Sequence, residues 1–160
     1  MDKIEQRLID MGLFLPPTLQ VPSGSILPFA MVRIIGDRAL ISGHGPQQSD
    51  GTLQRFPGRV GAELSVEQGY QAAQLTALSI LASLKRALGD LDRITYWGRF
   101  FGMVASAPGF QQQPSVINGF SDLIIQLYGQ QRGQHSRSAV GMAELPFGIP
   151  VEIEGEVQFA

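Results

Sequence analysis

Residues Ile94 to Ala105 run apolar or glycine on both parities. A strand with one wet face alternates, so a twelve-residue strand of this kind reads as the central strand of a sheet, covered on both sides. Its flanks supply the cover. Upstream, Ser65-Val66-Glu67-Gln68 matches a capping box, with serine at the cap and glutamine three places on. The helix that it opens is expected to reach about Leu88 and stop at Gly89, with Tyr70, Ala73, Ala77, Leu81, Leu84 and Leu88 on one face. Gly69 is an awkward residue for its first turn. Downstream, a second helix is expected from Pro114 to Tyr128, ending at Gly129.

The remaining segments complete the order. Asp2 to Leu13 reads as a short amphipathic helix, with Ile4, Leu8 and Met11 on one side, ended by Pro16 and Pro17. A connection rich in Pro, Gly and Ser runs to Pro28. Phe29 to Ile35 then reads as a strand, turned by Gly36-Asp37 into a partner from Arg38 to Ser42. Gly43-His44-Gly45-Pro46 breaks that partner, and Gln47 to Glu63 is a loop. Near the end, His135 to Pro146 alternates as a strand, and a Leu-Pro loop brings back an acidic strand from Val151 as the second half of a hairpin. The expected fold is α+β: a mixed sheet with two helices on one face, plus the N-terminal helix. Residues 1–27 form the helix and its connection, and 28–160 the main domain.

Composition narrows the function. Of 160 residues, 16% are charged and 44% hydrophobic, against a usual charged share of about 25%. Part of the surface is therefore expected to lie under neighbouring subunits. The net charge of -2 comes with no basic block, which argues against a nucleic-acid partner. There is no cysteine, no apolar run of membrane-spanning length and no apolar signal-peptide core at the N-terminus, so the expected location is the cytoplasm. His44 and His135 are far apart, with no metal-ligand spacing, and no phosphate loop or nucleophile elbow appears.

The candidate chemistry lies in the last strands. In the strand from His135, one face carries Ser138, Val140 and Met142, and the other carries Arg137, Ala139, Gly141 and Ala143. An arginine above small residues offers a rigid donor fork to a carboxylate, with a floor that lets another layer come close. It reads equally well as a surface arginine paired with Glu152 or Glu154 across the hairpin. Glu152 alternates with Val151 and Ile153, so it faces away from the core. It could orient water or take a proton, or belong to a solvated acidic face with Glu154 and Glu156. Ser42 and Gly43 end a strand where backbone can approach a ligand. Asn118 sits in the second helix, facing outward, able to donate and accept at once.

With these residues in place, the chain resembles the Rid/YjgF family of reactive-intermediate deaminases from about Pro28 onward. The resemblance rests on Ile41-Ser42-Gly43, the helix from Ser65, Asn118, and above all Arg137-Ser138-Ala139-Val140 with Glu144-Leu145-Pro146 and Val151-Glu152-Ile153-Glu154. It implies a chorismate-mutase-like fold and a homotrimer with pockets between subunits. It also implies hydrolysis of 2-imino (enamine) acids to 2-oxo acids and ammonia, without a cofactor or metal. Arg137 would hold the substrate carboxylate, with Ser42 and Asn118 as polar contacts. Glu152, with the backbone at Ala139, would position the water. Three departures stand out: Phe29 where active relatives carry a tyrosine, His44 where glutamine is common, and Ala139 in place of a frequent cysteine. The N-terminal helix and the Gln111-Gln112-Gln113 loop are additions. Phe29 removes a hydroxyl from the pocket, which keeps open a second reading: a non-catalytic trimeric protein that binds small carboxylates.

Overall fold

The computed structural model describes residues 3–54 and 58–160. Its elements in chain order are α1 (Lys3–Asp10), β1 (Val32–Ile35), β2 (Arg38–His44), α2 (Val66–Leu88), β3 (Ile94–Ala105), α3 (Gln113–Gly133), β4 (Ser136–Met142) and β5 (Val151–Phe159). The strands form one mixed sheet in the order β1-β2-β5-β3-β4, with α2 and α3 packed together on one face. Three elements follow the expected bounds closely. β3 spans the expected residues. α2 begins after Ser65 with both capping-box bonds present, and Gly89 ends it in the left-handed conformation at φ 82°. The regular part of α3 breaks at Gly129 (φ 78°, ψ 169°), and one more turn runs on to Gly133. Asp2 and residues 55–57 of the Gln47–Glu63 loop lie outside the described residues.

The last two strands are not a hairpin. β3 lies between them: Gly102 stands opposite Ala139 of β4 on one side and Ile153 of β5 on the other. β4 runs parallel to β3, because α3 carries the chain back before β4 begins, and β5 runs antiparallel to it. The segment from Ala143 to Pro150 steps over one strand, a span of about 10 Å at roughly 4.8 Å per strand spacing. The gain is burial. An apolar strand placed inside the sheet fills both of its hydrogen-bonding edges and hides Trp97 and Phe100.

Within the chain, the helix-side face of β3 is covered along its length, and the other face only toward the C-terminal end, where Met103 and Ala105 are buried. Trp97, Phe100 and Val104 face the helices and are buried, while Tyr96 and Arg99 are exposed. Under the helices the rings form a cluster. Trp97 lies 5.4 Å from Phe100 and 5.3 Å from Tyr128, and Phe120 lies 4.9 Å from Phe100, tilted or offset as ring quadrupoles favour. The two helices approach closely because of Gly119. A Cβ there would sit 2.0 Å from the carbonyl oxygen of Tyr70. Ile4 and Leu8 bury the apolar side of α1 in the same core. Its N-terminus is capped from far along the chain, where the Asp92 carboxylate accepts from the amides of Lys3 and Ile4 at 2.8 and 3.1 Å. No described helix is long and apolar enough to cross a membrane.

Candidate functional site

Pro114, Asn118 and Ser121 recur at helical spacing along α3, so they share one face. That face looks onto β4, the edge strand that carries Arg137. The guanidinium donates to Ser121 Oγ at 2.9 Å, Asn118 Oδ1 at 2.8 Å and the carbonyl oxygen of Pro114 at 3.2 Å. Asn118 thus turns inward onto the arginine rather than outward, half-buried where an isolated helix would leave it wet. Ser121 links a further residue, because its oxygen also lies 2.8 Å from His135 Nε2. His135 Nδ1 lies 2.9 Å from the carbonyl oxygen of Gly133, which only accepts. The proton is therefore on Nδ1, and Nε2 accepts from the serine hydroxyl. Phe100 and Phe120 pack edge-on against the imidazole at 5.5 and 5.4 Å, and burial holds its pKa below the ordinary value. No acidic side chain forms an ion pair with Arg137 among the described residues.

The small residues after Arg137 have a structural occupant. A Cβ at Gly141 would come within 2.9 Å of the Gln113 side chain at the start of α3. The layer that comes close is α3 itself, with Ala139 partly buried against the core. Arg137 is gripped from the helix side, and pairing with Glu152 or Glu154 is excluded by the position of β3 and by the faces that they occupy.

Glu152 lies on the other face. Its neighbours Val151 and Ile153 point into the core, and its own side chain packs on the backbone of β2 at Gly43. There β2 departs from regular pairing between Ile41 and His44, as a bulge does. A Cβ at Gly43 would lie 2.6 Å from Glu152 Oε2, so only glycine lets the carboxylate settle there. Burial raises the Glu152 pKa above its ordinary value, and the neighbouring charge of Glu154 adds to the shift.

Phe29, Gly43 and Glu152 line one cavity of about 230 Å³. Phe29 reaches it from the connection rather than from a strand, since β1 starts only at Val32. Ser42 stands next to this cavity but not in it. Its hydroxyl donates to the carbonyl oxygen of Ala30 at 2.8 Å, and the residue borders an open groove with Arg33, Arg99 and Glu154. His44 borders the cavity and is spent on structure. Nδ1 donates to the Ser42 carbonyl at 2.6 Å, Nε2 accepts from Ser83 Oγ at 2.8 Å, and burial pushes the pKa down to about 4. Among the described residues, no group of three or more His, Asp or Glu side chains converges as a metal site.

A single chain therefore holds two separate clusters, Arg137 with Asn118 and Ser121, and Glu152 with Gly43 and Phe29. Sequence reasoning missed Ser121 and His135. The three-residue step from Asn118 to Ser121 was the available signal. It also missed Leu19, Val21 and Leu27, which line the Glu152 cavity. Their mark was large apolar residues in a segment rich in turn formers.

Comparison with known proteins places this geometry in a family. The chain is 41% identical over 118 residues to Protein TCP17 of Trypanosoma cruzi, covering 74% of this chain and 72% of that one. A crystal structure of a protein of unknown function from Agrobacterium tumefaciens matches with a TM-score of 0.86 at 39% identity, over 98% of this chain and 92% of that one. RidA from an Antarctic Psychrobacter shares the fold alone, with a TM-score of 0.56 at 18% identity, over 89% of this chain and 99% of that one. The family model described as "YjgF/chorismate_mutase-like, putative endoribonuclease" matches residues 5–149. The three-bond grip of α3 on Arg137 and the sheet that carries Glu152 thus sit on a shared scaffold, and the chain belongs to the YjgF/Rid family.

Proposed function

We propose that the protein is a deaminase that hydrolyses 2-imino acids, and the enamines in equilibrium with them, to 2-oxo acids and ammonia. The observation that carries this reading is Arg137, fixed by three hydrogen bonds and paired with no carboxylate among the described residues. A guanidinium held in one orientation presents its remaining N–H donors, on Nε and Nη1, to a carboxylate. Glu152 supplies the second part, a carboxylate whose hold on a proton is strengthened by burial and by the charge of Glu154.

The two parts meet across a subunit boundary in a homotrimer. Support comes from the open face of the sheet, where Ile35 and Tyr96 are exposed and Leu40 and Phe101 border a groove. A neighbouring copy on that face would cover the second side of β3. In the joined site, Arg137 of one chain binds the substrate carboxylate, and Asn118 and Ser121 hold its fork. Glu152 of the next chain orients a water molecule, with the backbone at Ala139 as a second contact. As the water oxygen bonds to C2 it gives one proton to Glu152, the C=N electrons move to nitrogen, and Glu152 delivers that proton to nitrogen. The resulting carbinolamine loses its hydroxyl proton to Glu152, which passes it to the amine nitrogen. The C–N bond breaks, ammonia leaves and the 2-oxo acid remains. A C=N bond in water is already electrophilic, so placing substrate and water together supplies the acceleration.

The decisive assay generates short-lived imino acids with an amino-acid oxidase and follows their hydrolysis. The protein is expected to accelerate it, and Arg137→Ala to lose about 1.5–3 kcal/mol of carboxylate binding, roughly a 10- to 150-fold rise in Kd. Carboxylate binding without acceleration on any imino acid would leave the binding-protein reading, which Phe29 favours by bringing no hydroxyl to the cavity.

A further inference from the structure

The cavity beside Glu152 is almost wholly apolar. Leu19, Val21, Leu27, Phe29, Phe147 and Ile149 form its walls, and the first four come from the segment between α1 and β1. That segment is fastened in place. The Gln20 amide donates to the Gly51 carbonyl at 3.0 Å, Gln47 Nε2 donates to the Pro17 carbonyl at 3.1 Å, and Ser42 Oγ holds Ala30. The polar groups at the cavity edge are already engaged. Both ring nitrogens of His44 are bonded, and the Gln47 amide nitrogen also donates to the Gly51 carbonyl. Glu152 remains as the lining side chain with a carboxylate tied to no other side chain among the described residues. At about 230 Å³ the space is larger than the roughly 150 Å³ that admits a benzene ring into a protein interior. It is smaller than the roughly 300–1,000 Å³ typical of clefts for whole drug-sized ligands. It matches one branched or aromatic side chain.

We propose that this cavity is the side-chain subsite of the protein, selecting 2-imino and 2-oxo carboxylates with a branched or aromatic side chain over those carrying a methyl group. The proposal deepens the deaminase reading and rests on it for the position of C2 beside Glu152. With the reacting carbon at that carboxylate, the apolar cavity is the neighbouring space that a substituent can fill. The segment 19–31 then acts as a specificity wall, since it contributes most of the apolar lining and none of the charge.

Two measurements test this. Calorimetric binding of 4-methyl-2-oxopentanoate and of pyruvate reads the subsite without catalysis. Each added buried methylene is worth about fourfold, so a tens-fold tighter Kd for the branched acid is expected. Oxidase-generated imines of leucine and alanine are expected to show the same order in kcat/KM. Val21→Trp, which fills the cavity, is expected to reduce the branched preference at least tenfold. Leu27→Ala, which opens the wall, is expected to lower it several-fold and covers the case in which the tryptophan variant does not fold. Equal binding of the two oxo acids overturns the subsite, as does a preference untouched by both variants. Preferential binding with no imine hydrolysed keeps the subsite and removes the deaminase reading.

Discussion

Arg137 and Glu152 stand on opposite faces of one sheet with β3 between their strands, the first turned toward α3 and the second packed over Gly43. Two groups so placed cannot hold one small molecule within a single chain. In the proposed site, a second copy brings the missing half.

The shared site predicts complementation. Arg137→Ala and Glu152→Gln are each expected to be inactive alone. Co-expressed in equal amounts, they should recover roughly a quarter of wild-type activity, because in a cyclic trimer a site built from two chains is intact when each donor carries its unmutated residue. Activity of the mixture on imino acids, with the mass of the assembly, checks this. A mixture as inactive as its components rules out a site made from two chains.

Glu152 carries a pH signature in stability as well as in rate. Its pKa is raised in the folded state, so the fold is favoured while the carboxyl keeps its proton and is penalised as pH rises through and beyond 4.5. Glu152→Gln is therefore expected to be more stable than wild type at pH 8 and no more stable at pH 4. Urea midpoints at the two pH values give the comparison. The wild-type rate is expected to fall on acidification below the raised pKa, as the carboxylate is protonated.

His44 behaves in the opposite sense. Its pKa falls from 6.5 to about 4 on folding, so the unfolded chain takes up a proton that the folded chain refuses. Stability is fully present above pH 6.5 and lost as pH drops toward 4, by roughly 3 kcal/mol across a shift of this size. In His44→Gln that slope should flatten. Subtracting variant from wild-type unfolding free energies between pH 4 and 7 isolates it, and parallel curves would contradict it.

Gly119→Ala tests the contact that sets the helix spacing. The added methyl would meet the Tyr70 carbonyl at 2.0 Å, so α2 and α3 must separate. A cost of about 1–3 kcal/mol is expected, or a Tm lower by roughly 3–10 °C. Asn118 and Ser121 move with α3, so KM should rise alongside. A variant with unchanged Tm and KM would mean that the helices slide at little cost.

The element order was legible because local signals agreed. Ser65 with Gln68 marked the start of α2, Gly89 its end, and Gly129 the break in α3. Strand order was less legible. Arg137 and the Val151 strand look like a hairpin in sequence because a short connection usually joins neighbours. Competition for an interior place overrode that preference, since β3 buries most when both of its edges are paired. The small residues after Arg137 misled for a related reason: a floor that admits a ligand and a floor that admits a helix have the same composition.

By itself the sequence determined where α2 begins, where Gly89 and Gly129 interrupt the two long helices, and that Arg137 and Glu152 each face a definite side of a strand. Those are consequences of cap chemistry and of the two-residue period, which act over a few residues. The tertiary structure decided which strands touch, that Asn118, Ser121 and the Pro114 carbonyl hold the arginine, and that the segment 19–31 walls the Glu152 cavity. Such contacts join residues far apart in the chain, and their energy comes from burying surfaces that exist only once the whole sheet and its helices have packed.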